Sequence, residues 1–230
     1  MERTRVAVLV SGAGTNLRAL LDACARPEYP AQIVLVMSNR PSAPALELAR
    51  AARVDAVAMP VSQFGGDGSA RDRALRDLLR AAAVELVVCA GYDRMLGEVV
   101  LEAFPDAIIN IHPSLLPAFG GGMRAVEEAL EYGVKVSGCT VQLLEAGEPD
   151  GGPIILQGTV AVLENDDVDS LRQRIHEQEW RLVPEAVALW CRGRLRREGR
   201  RVRLLPAGQP EGGAAAPALS AVTRREEKRR

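Results

Sequence analysis

The residues best suited to chemistry lie in two short segments, 110–117 (Asn-Ile-His-Pro-Ser-Leu-Leu-Pro) and 150–153 (Asp-Gly-Gly-Pro). They supply an amide (Asn110), an imidazole (His112) and a carboxylate (Asp150), which suit a reaction that needs an oxyanion donor and a proton carrier. His112 lies at the end of a predicted strand, where α/β enzymes keep their chemistry. Taken alone, His112 would more often be a structural residue that caps a strand. Its neighbours Asn110 and Asp150 favour a catalytic centre instead.

A third segment, 11–17 (Ser-Gly-Ala-Gly-Thr-Asn-Leu), joins the first predicted strand to the first predicted helix. Its backbone N–H groups and the helix dipole converge, which favours a bound anion. A dinucleotide fingerprint would place glycine at Leu17 and an acid near Ser38, and a Walker loop would need a lysine, so both are disfavoured. We predict a phosphomonoester site, with a tight glycine turn beneath a helix as the alternative. The predicted contacts are Gly12, Gly14, Thr15 and Asn16.

Composition limits the class of protein. The chain has 230 residues, of which 47% are hydrophobic, and its 29 basic and 30 acidic residues nearly cancel. This balance offers no basic field for nucleic acid, and no apolar run is long enough to span a membrane. The four cysteines are scattered without metal-ligand spacing, which predicts reduced thiols and no metal site. We expect a soluble cytoplasmic protein that binds small polar ligands and neither nucleic acid nor membranes.

Short β-rich runs alternate with helical patterns over the first half of the chain. Predicted strands at 6–10, 33–37, 56–59, 86–90 and 107–111 are separated by predicted helices at 16–25, 45–52, 69–83 and 97–104. This alternation is typical of parallel strands joined by crossover helices. The expected fold class is α/β, with a Rossmann-like, mostly parallel twisted sheet flanked by helices.

The second half of the chain departs from this rhythm. Its predicted elements are a helix at 123–132, two strands at 136–144 and 153–162 that form an antiparallel extension, and a helix at 166–191. Pro184 should end or kink the last helix. Residues 206–230 are predicted to be a low-complexity charged tail. We predict one domain over residues 1–205, with a phosphate-binding half (1–105) and a catalytic half (106–205).

Together these segments resemble the phosphoribosylglycinamide formyltransferases, a folate-dependent formyltransferase family of purine synthesis. The matching segments follow the family's order at 11–17, 90–96, 110–117, 129–133, 138–141, 150–157 and 178–179. The Asn-x-His-Pro-Ser and Asp-x-Gly-Pro motifs are shared by the wider formyltransferase superfamily, whereas the glycine loop narrows the acceptor. The resemblance implies transfer of a formyl group from 10-formyltetrahydrofolate to the amine of glycinamide ribonucleotide. It further implies the formyltransferase fold, no metal, and a monomer or homodimer.

The resemblance also assigns roles by position. It implies that the glycine loop holds the phosphate of glycinamide ribonucleotide and that Glu179 contacts its ribosyl-glycinamide portion. It makes 106–205 the folate-binding half as well, and it implies a cis bond between Leu116 and Pro117. The implied folate contacts are Asp93, Arg94, Met95, Leu96, Asn110, Gly147 and Asp150. The implied supporting residues are Ser114, Pro117 and Gln142.

Formyl transfer requires three side-chain tasks. An uncharged amine attacks the formyl carbon, an oxyanion develops, and a proton passes from the attacking nitrogen to the departing folate nitrogen. We expect Asn110 and a protonated His112 to donate to the oxyanion. We expect Asp150 to keep His112 charged, and a water held by both residues to carry the proton.

Some positions depart from the family pattern. Gln142 stands where the family usually has histidine, so an acid-base role at that position is excluded. One residue is inserted before Asp150, and Asp93 replaces a hydrophobic residue. The stretch 65–68 replaces one that usually presents a folate-contacting arginine. Arg71 is either a displaced candidate for that arginine or a residue on a solvated helix face.

Three residues of the predicted long helix are interpreted as structural: His176, Trp180 and Trp190. Two other functions stay open. One is a different folate formyltransferase or a formyltetrahydrofolate hydrolase, and the other is a non-catalytic nucleotide-binding module. The module would not need Asn110, His112 and Asp150 to converge, so their separation discriminates between the alternatives.

Overall fold

The sheet has nine strands within the residues that the computed structural model describes, which are 2–147 and 149–206. The strands are β1 (Thr4–Val10), β2 (Ala31–Ser38), β3 (Asp55–Ala58), β4 (Leu86–Cys89), β5 (Ile108–His112), β6 (Val136–Leu143), β7 (Ile154–Ala161), β8 (Leu195–Glu198) and β9 (Arg201–Leu204). The helices are α1 (Thr15–Cys24), α2 (Pro44–Ala51), α3 (Gly68–Ala81), α4 (Glu98–Leu101), α5 (Ala125–Tyr132) and α6 (Val168–Cys191), and a short 3-10 helix covers Val61–Phe64.

The strand order is β3-β2-β1-β4-β5-β6-β7-β9-β8. Strands β1 to β5 run parallel to one another, while β6 pairs antiparallel with both β5 and β7. The predicted fold class, a mostly parallel sheet with an antiparallel C-terminal extension, is therefore confirmed. The order reverses direction at β1, so the carboxyl ends of β1, β4 and β5 meet at one edge, where sheets of this kind bind ligands.

The central strands are buried on both faces. Val6, Val8 and Val10 of β1 pack on the side of α1, α2 and α6, whereas Ala7 and Leu9 pack on the side of α3 and α4. All of these side chains are essentially inaccessible to solvent. Continuous burial of this kind is expected for parallel strands covered by helices, and it makes the sheet a rigid support for the loops at its edge.

The long helix continues through its proline. Pro184 was predicted to end or kink the helix, and because it lies inside α6 the first of these alternatives is wrong. Proline removes one backbone donor, but α6 buries Leu182, Val183, Ala186 and Val187 around it, and this packing outweighs the lost hydrogen bond. In the described part of the chain no helix is both long enough and apolar enough to cross a membrane.

The hairpin formed by β8 and β9 was not predicted. Its sequence, residues 195–204, is rich in arginine and lacks the apolar alternation that indicates a strand. The turn is made by Gly199, whose φ of 62° lies in the left-handed region that suits glycine. The charged tail predicted for 206–230 lies outside the described residues, apart from residue 206.

Candidate active site

A cleft of about 720 Å³ lies at the carboxyl edge of the sheet. Four loop regions contribute to its lining, together with residues of α4 and α5: the loop after β1, the loop after β4, the end of β5 with the loop that follows, and the loop between β6 and β7. One face of α6 closes the remaining side. Every residue predicted to bind phosphate, ribose or folate lines this cleft, as do Asn110, His112 and Asp150.

The glycine loop connects β1 to α1 and presents the first turn of that helix to the cleft. Gly14 precedes α1 with a φ of 80°, and a Cβ at this position would lie 2.7 Å from the Cβ of Ala45. Only glycine fits there without displacing α2. No side chain of the described residues caps α1, and its first turn has no acidic residue. The backbone N–H groups at the start of α1 are therefore available to an anion.

Asn16 and Glu179 form a buried pair beside the glycine loop. The side-chain amide nitrogen of Asn16 donates to Glu179 Oε2 at 2.7 Å. Asn16 is only 6% exposed to solvent and Glu179 only 4%. Burial raises the pKa of Glu179 to about 6, and the hydrogen bond from Asn16 limits that rise. The carbonyl oxygen Oδ1 of Asn16 has no partner among the described residues. The pair can therefore accept hydrogen bonds from a ligand that carries hydroxyl or amide donors.

Two further residues of α6 line the cleft, and the sequence did not single them out for function. Arg172 and His176 precede Glu179 by seven and three positions, so helical periodicity places the three side chains on one face. His176 stacks at 6.1 Å against Trp180, and burial, with help from Arg172, lowers its pKa. Spacing from Glu179 was the available signal. From the sequence His176 is interpreted as structural, and its partners Trp180 and Arg172 each lie four residues away on the same helix.

The three catalytic candidates converge. Asn110 and His112 are two residues apart on β5, so their side chains leave the same face of the strand. Asp150 comes from the loop between β6 and β7, and its carboxylate lies 3.3 Å from His112 Nδ1 and 3.5 Å from Asn110 Nδ2. The inserted residue before Asp150 does not separate it from its partners. This convergence argues against the non-catalytic module.

Asp150 is fixed from several sides. Gln142 Nε2 donates to its Oδ1 at 3.0 Å, and the backbone N–H of Gly121 donates to its Oδ2 at 2.9 Å. Its φ of 54° is left-handed, which is uncommon for a residue other than glycine. Backbone strain of this kind persists when surrounding contacts determine the conformation, and here those contacts hold a carboxylate against His112.

His112 has a partner at each ring nitrogen. Nε2 lies 2.9 Å from the carbonyl oxygen of Phe119, which can only accept, so this nitrogen carries a hydrogen. Nδ1 faces Asp150. The role of oxyanion donor that the sequence predicted would therefore require Nε2 to leave the Phe119 carbonyl, while Asn110 can reorient more freely because its contact with Asp150 is long.

The loop after His112 is held by a compact network. Leu116–Pro117 is a cis peptide, as expected. Ser114 donates to the carbonyl of Ala118 at 2.6 Å, and Thr140 donates to the carbonyl of Ser114 at 2.7 Å. Ser114 and Pro117 thus shape the turn that brings Phe119 back to His112.

The loop after β4 contributes the other predicted folate residues. Arg94, Met95 and Leu96 line the cleft, and the side chain of Met95 is exposed. The carboxylate of Asp93 instead accepts hydrogen bonds from Ser11 Oγ at 2.9 Å and from Asn39 Nδ2 at 2.8 Å, and it pairs with Arg40. These contacts hold its pKa below the ordinary value, although burial opposes them. Asp93 therefore ties together three strand ends.

Arg71 is buried, so its placement on a solvated helix face is wrong. Its Nε donates to Asp72 Oδ1 at 3.0 Å, and its Nη2 donates to the carbonyl of Met95 at 3.3 Å. Asp72 in turn accepts the backbone N–H of Gly97 at 2.8 Å. Arg71 and Asp72 therefore hold the loop after β4 in place through hydrogen bonds to its backbone.

Comparison with known proteins defines the class. A family model described as formyl transferase matches residues 4–187, and the chain belongs to this family. The resemblance inferred from the sequence is confirmed. The protein is an enzyme of the transferase class, and its fold agrees with this family.

The most informative relatives carry a narrower name. The chain is 44% identical to a phosphoribosylglycinamide formyltransferase of Mycobacterium tuberculosis, covering 80% of this chain and 83% of that protein. A crystal structure of glycinamide ribonucleotide transformylase 1 from Symbiobacterium toebii superposes with a TM-score of 0.86 at 50% identity, covering 89% of this chain and 95% of that one. The chain is also 40% identical to a trifunctional purine biosynthetic protein of Drosophila melanogaster, matching 83% of this chain but spanning only 14% of that protein's length.

Proposed function

We propose that the protein transfers the formyl group of 10-formyltetrahydrofolate to the amine of glycinamide ribonucleotide. The products are formylglycinamide ribonucleotide and tetrahydrofolate, a step of purine biosynthesis. The observation that carries the proposal is that one cleft holds both the glycine loop with Glu179 and the convergent Asn110, His112 and Asp150. The likeness to enzymes named for this reaction supports the same choice.

The proposed catalytic residues act in successive steps of the reaction. The uncharged amine attacks the formyl carbon, and the carbonyl oxygen becomes an oxyanion that Asn110 stabilises, joined by His112 once its Nε2 turns from Phe119. The bond from the formyl carbon to the folate nitrogen then breaks. The proton lost by the attacking nitrogen passes to that folate nitrogen through a water held by Asp150 and His112.

The acceptor is selected by its two ends. The phosphate of glycinamide ribonucleotide binds the N–H groups of the glycine loop at the start of α1. The ribosyl-glycinamide portion carries hydroxyl and amide donors, which Glu179 and the unpaired Asn16 Oδ1 accept. An acceptor without a phosphate would lose the first set of contacts and bind weakly.

The organisation proposed for the chain follows from this site. Residues 1–205 act as one formyltransferase domain, in which 1–105 bind phosphate and 106–205 carry the catalytic and folate contacts. We propose a cytoplasmic enzyme, active as a monomer or homodimer, that needs no metal.

A transfer assay tests the function directly. The protein is mixed with 10-formyl-5,8-dideazafolate and glycinamide ribonucleotide, and the deformylated folate is followed by absorbance. We expect a signal that depends on the acceptor and is lost in His112→Ala. An equal signal without the acceptor would identify a hydrolase instead, and no signal at all would refute the proposed function.

A further inference from the structure

The C-terminal hairpin of β8 and β9 lies next to the loop that carries Asp150. Strand β9 pairs with the first residue of β7, Ile154 opposite Arg201, so the hairpin joins the sheet where that loop ends. The loop between β6 and β7 is long for a connection between adjacent antiparallel strands, and Gly147 and Asp150 both have left-handed backbone. A loop of this length needs outside contacts to stay in one conformation.

Two arginines of the hairpin supply such contacts. Arg200 Nη1 donates to the carbonyl of Gly151 at 2.8 Å, directly after Asp150. Arg197 pairs with Glu145 on the opposite arm of the loop, and its Nη1 donates to Asp106 Oδ1 at 2.6 Å. The hairpin therefore holds both arms of the loop, and through Asp106 it anchors one arm to the segment before β5.

The same loop forms one wall of the cleft. Glu145, Gly147 and Gly151 line it together with Asp150, on the side where the folate is proposed to bind. The contacts of Arg197 and Arg200 reach this wall, whereas the glycine loop and Glu179 belong to other elements. Loss of these contacts should disturb the cosubstrate and leave the acceptor's phosphate contacts in place.

We propose that Arg197 and Arg200 are positioning residues for the folate cosubstrate. They hold the loop between β6 and β7 in its binding conformation, so the cost of ordering the loop is met before the cosubstrate arrives. The naming of folate rests on the proposed function. Arg197 needs a planar guanidinium because it bridges two carboxylates, whereas Arg200 needs only one donor for a carbonyl.

The test measures binding and catalysis separately in the full chain. The variants are Arg197→Met, Arg200→Met and the double variant, with Arg203→Met as the matched control. Arg203 lies in the same hairpin, and its ion pair is with Glu198 of that hairpin. The dissociation constant for 10-formyl-5,8-dideazafolate is measured by calorimetry, and KM is measured for both substrates.

We expect the double variant to raise the folate dissociation constant about tenfold, while KM for the acceptor stays within about twofold. The control should match the wild type, and Arg200→Lys should recover more affinity than Arg197→Lys. Unchanged folate affinity in the double variant, or an equal rise in both KM values, would overturn the proposal. Glu145→Gln tests the same contact from the loop side if the arginine variants lose thermal stability.

Failure of the proposed function would look different. If the wild type binds the folate analogue but transfers nothing to glycinamide ribonucleotide, the function is wrong, and the binding constants still judge the two arginines. If the wild type does not bind the analogue, both proposals fall.

Discussion

The proposed acceptor pocket, formed by the glycine loop with Asn16 and Glu179, and the proposed catalytic centre around Asp150 each contain a carboxylate, and the two carboxylates are held in opposite ways. Glu179 is almost fully buried and accepts a hydrogen bond from Asn16. Asp150 is less buried, yet Gln142 and Gly121 donate to it and His112 and Asn110 lie beside it.

The surroundings of the two carboxylates differ in the way that their proposed roles require. Glu179, which is proposed to receive a ligand, is buried beside Asn16, and this burial raises the pKa of its carboxyl group. Asp150, which is proposed to hold another catalytic residue, is surrounded by donors of the protein itself. On this proposal a ligand completes the acceptor pocket, whereas the protein alone assembles the catalytic centre.

The strongest way to break the catalytic side of this comparison is Asp150→Asn. Replacing one carboxylate oxygen by an NH2 group removes the negative charge beside His112 Nδ1 and leaves one acceptor oxygen in place of two. We expect kcat to fall on the order of 10²–10³, the loss typical of removing an electrostatic catalytic group. Asparagine tolerates left-handed backbone, so the thermal unfolding midpoint should stay near that of the wild type. Near-normal turnover by single-turnover kinetics would show that Asp150 does not hold the catalytic centre.

The frame of the acceptor pocket is tested by Gly14→Ala. The added Cβ would lie 2.7 Å from the Cβ of Ala45, and the alanine would have to adopt the left-handed φ of Gly14. We therefore expect a loss of about 1–3 kcal/mol in the free energy of unfolding. KM for the acceptor should rise because the loop amides are displaced. Gly12→Ala is the matched control, since a Cβ there meets nothing within 4 Å. Equal stability of the two variants in urea unfolding would contradict this account.

The sequence predicted those parts of the site that rest on local signals. The glycine loop is marked by its spacing after a strand, and Asn110 and His112 are marked by their place at a strand end. The structure places residues 12–16, Asn110 and His112 in the cleft. Asp150 carries no local signal that links it to them, because its loop lies far along the chain. It was predicted as the carboxylate that complements the amide and the imidazole.

Features that depend on distant partners were missed. Arg71 was left open between a folate contact and a solvated helix face, because its partner, the loop after β4, cannot be inferred from helix periodicity. Arg172 and His176 required knowing which face of α6 meets the glycine loop. The β8–β9 hairpin was missed because its strands consist mainly of charged residues and lack the apolar alternation that indicates a strand. Its contacts with Gly151 and Glu145 are made by arginine side chains.

A pH series sharpens the acceptor side through Glu179→Gln. The raised pKa of about 6 means that protons compete with the acceptor as the pH falls, so wild-type KM for glycinamide ribonucleotide should rise below that value. The neutral glutamine should weaken binding of the acceptor about tenfold at pH 8 and remove the pH dependence that Glu179 gives to KM. The ratio of variant to wild-type KM cancels the titration of the acceptor's own phosphate. A ratio that stays constant from pH 8 to pH 5 would mean that Glu179 does not receive the acceptor.

The smallest expected effect comes from Gln142→His, which tests whether the donors around Asp150 need a proton of their own. Glutamine donates to Asp150 at every pH, whereas histidine gains a charge near its ordinary pKa of about 6.5. We expect kcat at pH 8 to change by less than about threefold, because Gly121, His112 and Asn110 still surround the carboxylate. Below neutral pH the variant should show a second titration in kcat that the wild type lacks. A large loss at pH 8 would instead show that the neutral amide donor is itself what fixes Asp150.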